Sequence, residues 1–283
     1  MGERAAMNYQ ACYEWGRKQL EAAGVQEARL DARLLLETAC AVSFSDLLAH
    51  GERTVEPAAE ERYREWISLR ASHIPLQHIT GYQEFMGLEF LVSDKVLIPR
   101  QDTEILVEEV LRQMTDGSRI LDMCTGSGCI LLSLLHYSNG CVGVGTDISA
   151  DALGVAEENA KRLGIQADFI QSDLFEKVTG KFDYIVSNPP YIASGQIGEL
   201  MEEVRLHEPL IALDGHEDGL FFYRKIVCAC EAFLKRGGSL YLEIGCDQGE
   251  AVKSLMENAG FHEVEVTKDY AGLDRVVSGV WYP

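Results

Sequence analysis

The strongest constraint on the fold is an alternation of helix and strand patterns that begins at residue 102. We predict helices at 102–114, 129–137, 150–163, 220–235 and 248–259, and strands at 119–123, 141–146, 167–171, 182–187 and 239–244. Strands that alternate with helices form parallel sheets covered on both faces, and such sheets bind ligands beyond the carboxyl ends of their strands. Two strand patterns follow in succession near the C-terminus. We therefore expect a doubly wound α/β sheet that ends in an antiparallel hairpin.

The first 70 or so residues follow a helical pattern instead. Apolar residues at helical spacing, Gly24 as a stop signal and Pro57 as a start signal predict helices at 9–23, 27–41 and 57–72. Apolar residues then alternate about Gly87 and again about Ser93-Asp94, which indicates a β-hairpin. The sequence thus predicts three parts: a small helical domain over 1–74, a β-hairpin linker over 75–100 and the α/β domain over 101–283.

Composition and charge limit the class of protein. The chain has 283 residues, is 47% hydrophobic and contains no apolar run of the ~20 residues that a membrane span needs, so we expect a cytoplasmic protein. Residues 1–80 hold 9 Lys and Arg against 12 Asp and Glu, a net charge of −3, whereas the remainder holds 16 against 33, a net −17. A region this acidic repels phosphate backbones, so we expect no direct nucleic-acid binding. The eight cysteines are scattered without zinc-site spacing, which predicts free thiols and no metal.

A glycine-containing loop, Cys124–Gly128, lies between the strand predicted at 119–123 and the next helix. Gly126 and Gly128 let the backbone approach a ligand closely, and the following helix offers free N–H groups at its start. Loops of this kind bind either dinucleotides or S-adenosylmethionine. The dinucleotide fingerprint requires a third glycine where this chain has Leu131. The loop alone predicts a nucleotide-type cofactor without deciding which one.

Acidic residues end the next two strands of the predicted sheet. Asp147 ends the strand at 141–146 and is placed to accept hydrogen bonds from ribose hydroxyls. It could instead cap the following helix, because Ser149 and Asp151 also suit a helix start. Asp173 ends the strand at 167–171. The combination of the glycine loop with two acids at strand ends favours a nucleoside site.

The segment "VSNPPYIAS" ends the fourth strand of the sheet abruptly, at Asn188-Pro189-Pro190-Tyr191. A turn would explain the two prolines, but a turn rarely needs Asn before them and an aromatic ring after them. A planar NH₂ group is a poor nucleophile because its lone pair is delocalised, so its methylation requires acceptors for both N–H bonds. The Asn188 side-chain carbonyl and the Pro189 backbone carbonyl can be those acceptors, and Tyr191 can stack on the flat group. The tetrad therefore favours S-adenosylmethionine, a methyl donor, as the cofactor.

The tetrad resembles the [Asn/Asp/Ser]-Pro-Pro-[Tyr/Phe/Trp] signature of S-adenosylmethionine-dependent N-methyltransferases that act on adenine, cytosine or glutamine amides. From about residue 9 to the C-terminus the chain is similar to the HemK-type peptide chain release factor glutamine methyltransferases. The segments that carry this resemblance are "PLQHITGYQEFMGLEFLVSDKVLIPRQDTEILVE", "ILDMCTGSGCI", "VSNPPYI", "EPLIALDGHEDGLFFYR" and "KDYAGLDRVV". The resemblance implies a Rossmann-like class I methyltransferase sheet and methylation of N5 of the glutamine in the Gly-Gly-Gln motif of class 1 release factors.

The resemblance also implies roles for individual residues. A first set would line the methionine part of S-adenosylmethionine: Cys124, Thr125, Gly126, Ser127 and Gly128. Asp147 would bind the ribose, and Asp173 and Leu174 would lie by the adenine. A third set would form the glutamine pocket, with the first two residues catalytic and the first also near the cofactor: Asn188, Pro189, Pro190 and Tyr191. The helical domain would recognise the release factor, and the enzyme would be a monomer.

Two positions depart from the family pattern. Cys124 stands where the family commonly has a glycine, which puts its backbone conformation in question. Gln101 stands where the family commonly has a proline, so that turn should be slightly looser. Glu84, Glu89 and Arg100 could position loops around the pocket, although surface salt bridges explain them equally well.

The chemistry predicted is direct in-line transfer of a methyl group from sulfur to nitrogen. No general base is needed before transfer, because the methylated nitrogen becomes acidic and loses its proton afterwards. We therefore interpret four histidines as structural or surface residues: His73, His78, His207 and His216. Two alternatives stay open. One is an N6-adenine nucleic-acid methyltransferase using the same tetrad on a flipped base, which the net charge of −17 disfavours; the other is a non-catalytic S-adenosylmethionine-binding interaction module, which the intact tetrad disfavours.

Overall fold

A computed structural model describes residues 7–282, and the chain divides into two units. The first unit holds the chain as far as Gly81 together with Glu202–His207. The second unit holds Tyr82–Met201 and everything from Glu208 onward. The chain therefore leaves the second unit after Met201, contributes a short helix to the first unit, and returns.

The first unit is built from helices around its own apolar core. Its N-terminal helices are α1 (Tyr9–Ala22), α2 (Ala28–Cys40), α3 (Phe44–Ala49), α4 (Pro57–Ala71) and α5 (Leu76–Thr80). The three longest confirm the predicted helices to within two residues at each end. The prediction missed α3 and α5, because helices of fewer than two turns are too short to show a periodic apolar pattern. The core includes the fully buried side chains of Leu20, Leu35 and Tyr63.

A buried ion pair ties the last helix of the first unit to the others. Arg70 in α4 has a side chain that is 7% exposed, and it contacts Asp31 at 2.7 Å and Glu203 at 2.7 Å. Burial raises the pKa of Asp31, and the hydrogen bond from Arg70 opposes that rise. A buried guanidinium needs such partners, because an unpaired buried charge is strongly destabilising. The segment at Glu202–His207 is therefore a structural part of the first unit.

The second unit is organised around a seven-stranded sheet. A hairpin of β1 (Tyr82–Phe85) and β2 (Leu88–Leu91) comes before it. The strands of the sheet are β3 (Arg119–Met123), β4 (Val142–Asp147), β5 (Asp168–Gln171), β6 (Phe182–Ser187), β7 (Leu234–Glu243), β8 (Phe261–Lys268) and β9 (Asp274–Trp281). Their order is β5-β4-β3-β6-β7-β9-β8, and β9 runs in the direction opposite to the other six strands. The predicted doubly wound sheet with its C-terminal antiparallel hairpin is confirmed.

Helices connect the strands of this sheet. They are α6 (Gln101–Gln113), α7 (Cys129–His136), α8 (Ala150–Leu163), α10 (Phe221–Ala229) and α11 (Gly249–Asn258), while α9 (Glu202–His207) belongs to the first unit. The helix predicted over 220–235 is wrong at its end. The helix stops at Ala229, and β7 already begins at Leu234. A bulge near Gly237 (φ 78°) interrupts the strand and separates its first residues from the segment predicted as a strand. The second alternating stretch, at Ser93-Asp94, is not a strand.

The topology brings the loops of the sheet together at one edge. The strand order changes direction between β3 and β6, which are neighbours although β4 and β5 separate them in the chain. In open α/β sheets the crevice at such a switch point is where ligands bind. The loops after β3 and β6 carry the glycine loop and the Asn-Pro-Pro-Tyr tetrad respectively. Among the residues that the structure describes, no helix is long and apolar enough to cross a membrane.

Candidate active site

A cavity of about 380 Å³ opens at this edge of the sheet, within the size range of small-molecule sites. Most of the predicted site residues line it: Cys124, Thr125, Gly126, Ser127, Asp147, Asp173, Leu174, Asn188 and Pro190. Gly128, Pro189 and Tyr191 do not line it. The structure thus brings to one cavity the predicted cofactor residues except Gly128, and two of the four predicted substrate residues, Asn188 and Pro190.

The glycine loop exposes backbone N–H groups at the start of α7. Gly126 and Gly128 have φ angles of 55° and 80°, in the left-handed region that glycine adopts without strain. Gly128 occupies the N-cap position of α7, and no side chain caps that helix. The Leu131 N–H in the first turn of α7 interacts with the buried carboxyl group of Asp122. The N–H groups before it are available to a ligand, as helix N-termini commonly are in anion and nucleotide sites.

Asp147 connects the loop after β4 to the glycine loop. Its Oδ2 accepts a hydrogen bond from the Gly126 N–H at 3.0 Å, and its Oδ1 accepts one from the Ser149 N–H at 2.9 Å. The N-cap of α8 is Ser149, whose hydroxyl accepts from the Ala152 N–H. Burial raises the pKa of Asp147, and its backbone hydrogen bonds lower it. Because Ser149 caps the helix, Asp147 is not needed as the cap. Its remaining lone pairs can therefore accept hydrogen bonds from a ligand in the cavity.

A second carboxyl group, Asp122, lies under the glycine loop and was not predicted. It is fully buried in β3, and the Thr125 hydroxyl donates to its Oδ2 at 2.6 Å. Burial raises the pKa of Asp122 to about 7, and the hydrogen bond from Thr125 lowers it. A lone acidic residue inside an otherwise apolar strand was the available signal in the sequence. Asp122 holds Thr125 in place and does not line the cavity.

Backbone strain collects around the cavity. Seven residues other than glycine have a clearly positive φ in the described part of the chain, and three line the cavity: Cys124 (57°), Leu174 (45°) and His216 (66°). Such a conformation costs roughly 1–2 kcal/mol for a residue with a Cβ. At Cys124 the strained conformation agrees with the resemblance, which led us to expect a glycine at this position. Burial also raises the pKa of the Cys124 thiol, which therefore stays protonated.

The amide of Asn188 has a defined orientation. Its Nδ2 donates to the Thr103 hydroxyl at 3.3 Å, and Thr103 is a buried residue of α6. With the NH₂ group turned toward Thr103, the Oδ1 atom is available on the other side. Pro189 and Pro190 are buried and stiffen the bend that follows. Asn188 can therefore act as a hydrogen-bond acceptor in the cavity.

The backbone of Tyr191 is clamped by a second loop. Its carbonyl accepts from Gln248 Nε2 at 2.9 Å. A Cβ built on Gly219 would lie 2.3 Å from the same carbonyl, so only glycine fits there. The ring packs against the core, and burial raises the pKa of Tyr191. Gln248 and Gly219 thus hold the backbone of Tyr191 in place where the chain leaves the tetrad. Neither residue was predicted from the sequence.

The cavity also carries positive charge. Lys95, Arg100 and Lys225 line it, and Arg100 is paired with the buried carboxylate of Glu208. Of the three charged residues considered as loop positioners, only Arg100 lies here. Glu89 pairs with Arg162 on the exposed side of the hairpin, and Glu84 is exposed on β1.

His216 is the one predicted surface histidine that lines the cavity. Its ring centre lies 4.2 Å from that of Phe221, which lines the cavity as well. The other three histidines considered belong to the first unit. His216 and Phe221 therefore pack against each other at the wall of the cavity.

The residues present fit S-adenosylmethionine. Its ribose has two hydroxyls, which suit the free lone pairs of Asp147, and its adenine has flat apolar faces, which suit Leu174. Its amino-acid end carries both charges, which suit the N–H groups of α7 and the cations and carboxylates of the wall. The ribose, the adenine and the amino-acid end of the cofactor thus each have a counterpart among the lining residues.

The fold and this cavity define a S-adenosylmethionine-dependent methyltransferase. A release factor glutamine methyltransferase of Moorella thermoacetica is 46% identical over 264 residues, covering 91% of this chain and 93% of that protein. One of Agrobacterium fabrum is 42% identical over 270 residues, covering 93% of each chain. The chain belongs to the family of release factor glutamine methyltransferases.

Comparisons of domains and folds agree with this membership. Residues 11–81 match the family model described as PrmC N-terminal domain, and residues 100–207 match the one described as Methyltransferase small domain. A solved methyltransferase of Pyrococcus furiosus has a TM-score of 0.54 at 17% identity, covering 70% of this chain and 91% of that chain, which shows the shared fold. The predicted family, fold class, cofactor and enzymatic nature are confirmed. The roles of individual residues stay predictions.

Proposed function

We propose that this enzyme transfers a methyl group from S-adenosylmethionine to N5 of the glutamine in the Gly-Gly-Gln motif of class 1 release factors. The observation that carries the proposal is the Asn188 amide at the cavity, with its NH₂ group bound to Thr103 at 3.3 Å. An acceptor oriented in this way suits a substrate that presents N–H donors. The names of the relatives, which specify release factors and glutamine, support the same substrate.

The chain would act mainly by positioning the amide. S-adenosylmethionine supplies an electrophilic methyl group on a positively charged sulfur. Asn188 Oδ1 would accept one N–H of the substrate amide, and the Pro189 backbone carbonyl would accept the other, which aims the nitrogen lone pair at the methyl carbon. As the new bond forms, positive charge develops on nitrogen, and the two preorganised acceptors stabilise it. The nitrogen then loses a proton to solvent, so no catalytic base is required.

The proposed cofactor contacts follow the cavity wall. Asp147 would bind the ribose hydroxyls, and Asp173 and Leu174 would contact the adenine. The loop at Cys124–Gly128 would hold the methionine part, next to Asn188. Support comes from the Ser172 hydroxyl, which donates to the Leu174 carbonyl at 2.9 Å and so fixes the strained Leu174 in place.

The acidic second unit argues against a nucleic-acid substrate. Without Glu202–His207, which belong to the first unit, residues 82–283 carry a net charge of −16, which would oppose the approach of a phosphate backbone. We therefore propose a protein substrate, no direct contact with nucleic acid and no membrane association. We further propose a monomer that works in the cytoplasm, the compartment of translation.

Mass spectrometry tests this function. We expect that incubating a class 1 release factor with the enzyme and S-adenosylmethionine adds one methyl group to the glutamine of its Gly-Gly-Gln peptide. Duplex DNA in place of the release factor should stay unmodified. Methylated adenine with an unmodified release factor would support the nucleic-acid alternative, and absence of any product would support a non-catalytic module.

We also propose that the first unit binds the body of the release factor. Helices α1, α2 and α3 border a groove of about 610 Å³ with three exposed apolar side chains at its wall: Leu30, Phe44 and Leu48. Arg33 lies over the Phe44 ring at 4.3 Å, which adds a cation to this apolar surface. Aromatic and arginine side chains beside apolar ones are typical of protein-binding surfaces.

Leu48→Ser provides the test of this surface. Leu48 is 70% exposed, so the change should not disturb folding. Loss of one apolar contact costs roughly 1 kcal/mol, so we expect the KM for full-length release factor to rise about fivefold. The KM for a short Gly-Gly-Gln peptide should not change. Val142→Ser, at a 56% exposed position of the second unit, is the matched control; equal KM values for wild type and Leu48→Ser would place the binding surface elsewhere.

A further inference from the structure

A buried carboxyl group, Glu243, lies directly behind Asn188. Glu243 is the last residue of β7, and the parallel pairing of Ser187 with Leu242 places Asn188 and Glu243 side by side where β6 and β7 end. The side chain belongs to a residue that is 1% exposed, and it does not line the cavity. Its Oε2 atom has no hydrogen-bond partner among residues 7–282. Most buried polar atoms in proteins are hydrogen-bonded, so a buried carboxyl group with an unused acceptor atom needs an explanation.

Two polar side chains face Glu243 from neighbouring elements. The Thr103 hydroxyl, from α6, and the Asn188 amide both hydrogen-bond to the carboxyl group and lower its pKa. The same two side chains are joined to each other, with Asn188 Nδ2 donating to Thr103 Oγ1. Glu243, Thr103 and Asn188 therefore form one connected polar cluster, and only Thr103 and Asn188 reach the cavity.

Charged groups complete the surroundings of Glu243. Arg275 from β9 attracts the carboxylate, but it also contacts Asp102 at 3.2 Å and Asp269 at 3.0 Å, so its charge is shared. Burial is the largest effect, and it raises the pKa of Glu243 to about 7. The other titratable groups that interact with it come from α6, α7, α10 and the tetrad: Asp102, Cys129, Tyr223 and Tyr191.

We propose that Glu243 is a positioning residue which, in its ionised form, sets the Asn188 amide for methyl transfer; this rests on the function proposed above. A carboxylate only accepts hydrogen bonds, so it draws the Asn188 NH₂ group toward β7 and leaves Oδ1 facing the substrate. A protonated carboxyl group carries an O–H donor. It can donate to Oδ1 and stabilise the flipped amide, which presents N–H groups to the N–H groups of the substrate. The flipped Asn188 amide cannot accept a hydrogen bond from the substrate, so the enzyme with a protonated Glu243 is inactive.

The sign of the pH effect follows from this arrangement. The rate of transfer rises as pH passes upward through about 7, where Glu243 loses its proton. Asp122 also has a pKa raised to about 7, but it holds Thr125 of the glycine loop. A pH effect from Asp122 would therefore act on cofactor binding, and saturating cofactor removes it from the measured rate.

Single-turnover rates with saturating release factor and S-adenosylmethionine, measured from below to above pH 7, test the proposal. Glu243→Gln has an amide in place of the carboxyl group and no titration. We expect the rate of the variant at high pH to be on the order of tenfold lower than that of the wild type, because one hydrogen bond to a charged group is lost. We also expect that the rate of the variant does not depend on pH near 7. The dissociation constant for S-adenosylhomocysteine should stay unchanged, which shows that the variant is folded.

A second measurement keeps the test independent of that variant. The side-chain amide signals of Asn188 in the wild type, assigned by their loss in Asn188→Ala, should shift in nuclear magnetic resonance spectra as pH passes through about 7. Signals that stay constant overturn the proposal, as does a Glu243→Gln enzyme with the wild-type rate and pH profile. In both cases the proposed function stands if the wild type methylates the release factor. A wild type that leaves the glutamine unmodified at every pH overturns the proposed function instead.

Discussion

Replacing Asn188 by alanine lowers the methyl-transfer rate by about 10²–10³-fold, the usual cost of removing one preorganised polar contact from a transition state. The variant lacks the acceptor for one N–H of the substrate amide, so the nitrogen lone pair is no longer aimed at the methyl group. Pro189, Pro190 and the glycine loop are left intact. The affinity for S-adenosylhomocysteine should therefore fall only modestly, although Asn188 lines the cavity.

Single-turnover assays with saturating cofactor separate the rate from the affinity. A matched change on the substrate side removes the same interaction: a release factor with glutamate in place of the target glutamine has no N–H donors at that position. We expect the wild-type enzyme to leave it unmodified. If Asn188→Ala transfers methyl at the wild-type rate, the tetrad is a turn and the acceptor model is wrong.

The second large effect is expected at Asp147. Asp147→Ala removes a charged acceptor for the two ribose hydroxyls, a loss of roughly 1.5–3 kcal/mol for hydrogen bonds to a charged group, or about 10–150-fold in affinity. The loss has a second physical source, because the Gly126 N–H also loses its partner at 3.0 Å and the glycine loop is no longer anchored. Isothermal titration with S-adenosylhomocysteine measures the change.

Ser149→Ala is the matched control for Asp147. Ser149 is the N-cap of α8, and its loss should cost about 1 kcal/mol of stability, as N-cap replacements usually do. The affinity for S-adenosylhomocysteine should change little. An Asp147→Ala enzyme with wild-type affinity would show that Asp147 only organises the loops and does not bind the ribose.

Residues whose role follows from their place on one strand could be predicted from the sequence. Asp147 and Asn188 each end a strand with a clear apolar pattern, and the carboxyl ends of parallel strands meet at one edge of the sheet. Their presence at the cavity therefore followed from local patterns alone. The glycine loop was predictable for the same reason, since it joins a strand to a helix.

The groups behind the cavity could not be predicted in this way. Thr103, Glu243 and Arg275 come from α6, β7 and β9, and only the strand order and the register between β6 and β7 bring them together. An acid at the end of β7 looks like any other strand-end acid in the sequence. Its burial, which raises its pKa, depends on elements more than a hundred residues away.

Local ambiguity explains the remaining differences. Apolar residues continue from α10 through Phe233 and Leu234, so the helical pattern extends across a boundary that the bulge in β7 defines. At the tetrad, the sequence shows which residues form the bend but not which atoms face the ligand. Pro190 lines the cavity, whereas Pro189 and Tyr191 do not.

Arg70 pairs with two carboxylates that lie far apart in the sequence, so the order in which the chain is synthesised affects the folding of the first unit. As the chain leaves the ribosome, Asp31 is already present when Arg70 emerges, but Glu203 follows about 130 residues later. At about 5–20 residues per second this delay is roughly 7–27 s. During that interval the nascent helical unit holds a cation with only one of its two carboxylates and lacks its final helix. The N-terminal part of the chain therefore completes its folding only after the first four strands of the central sheet have been translated.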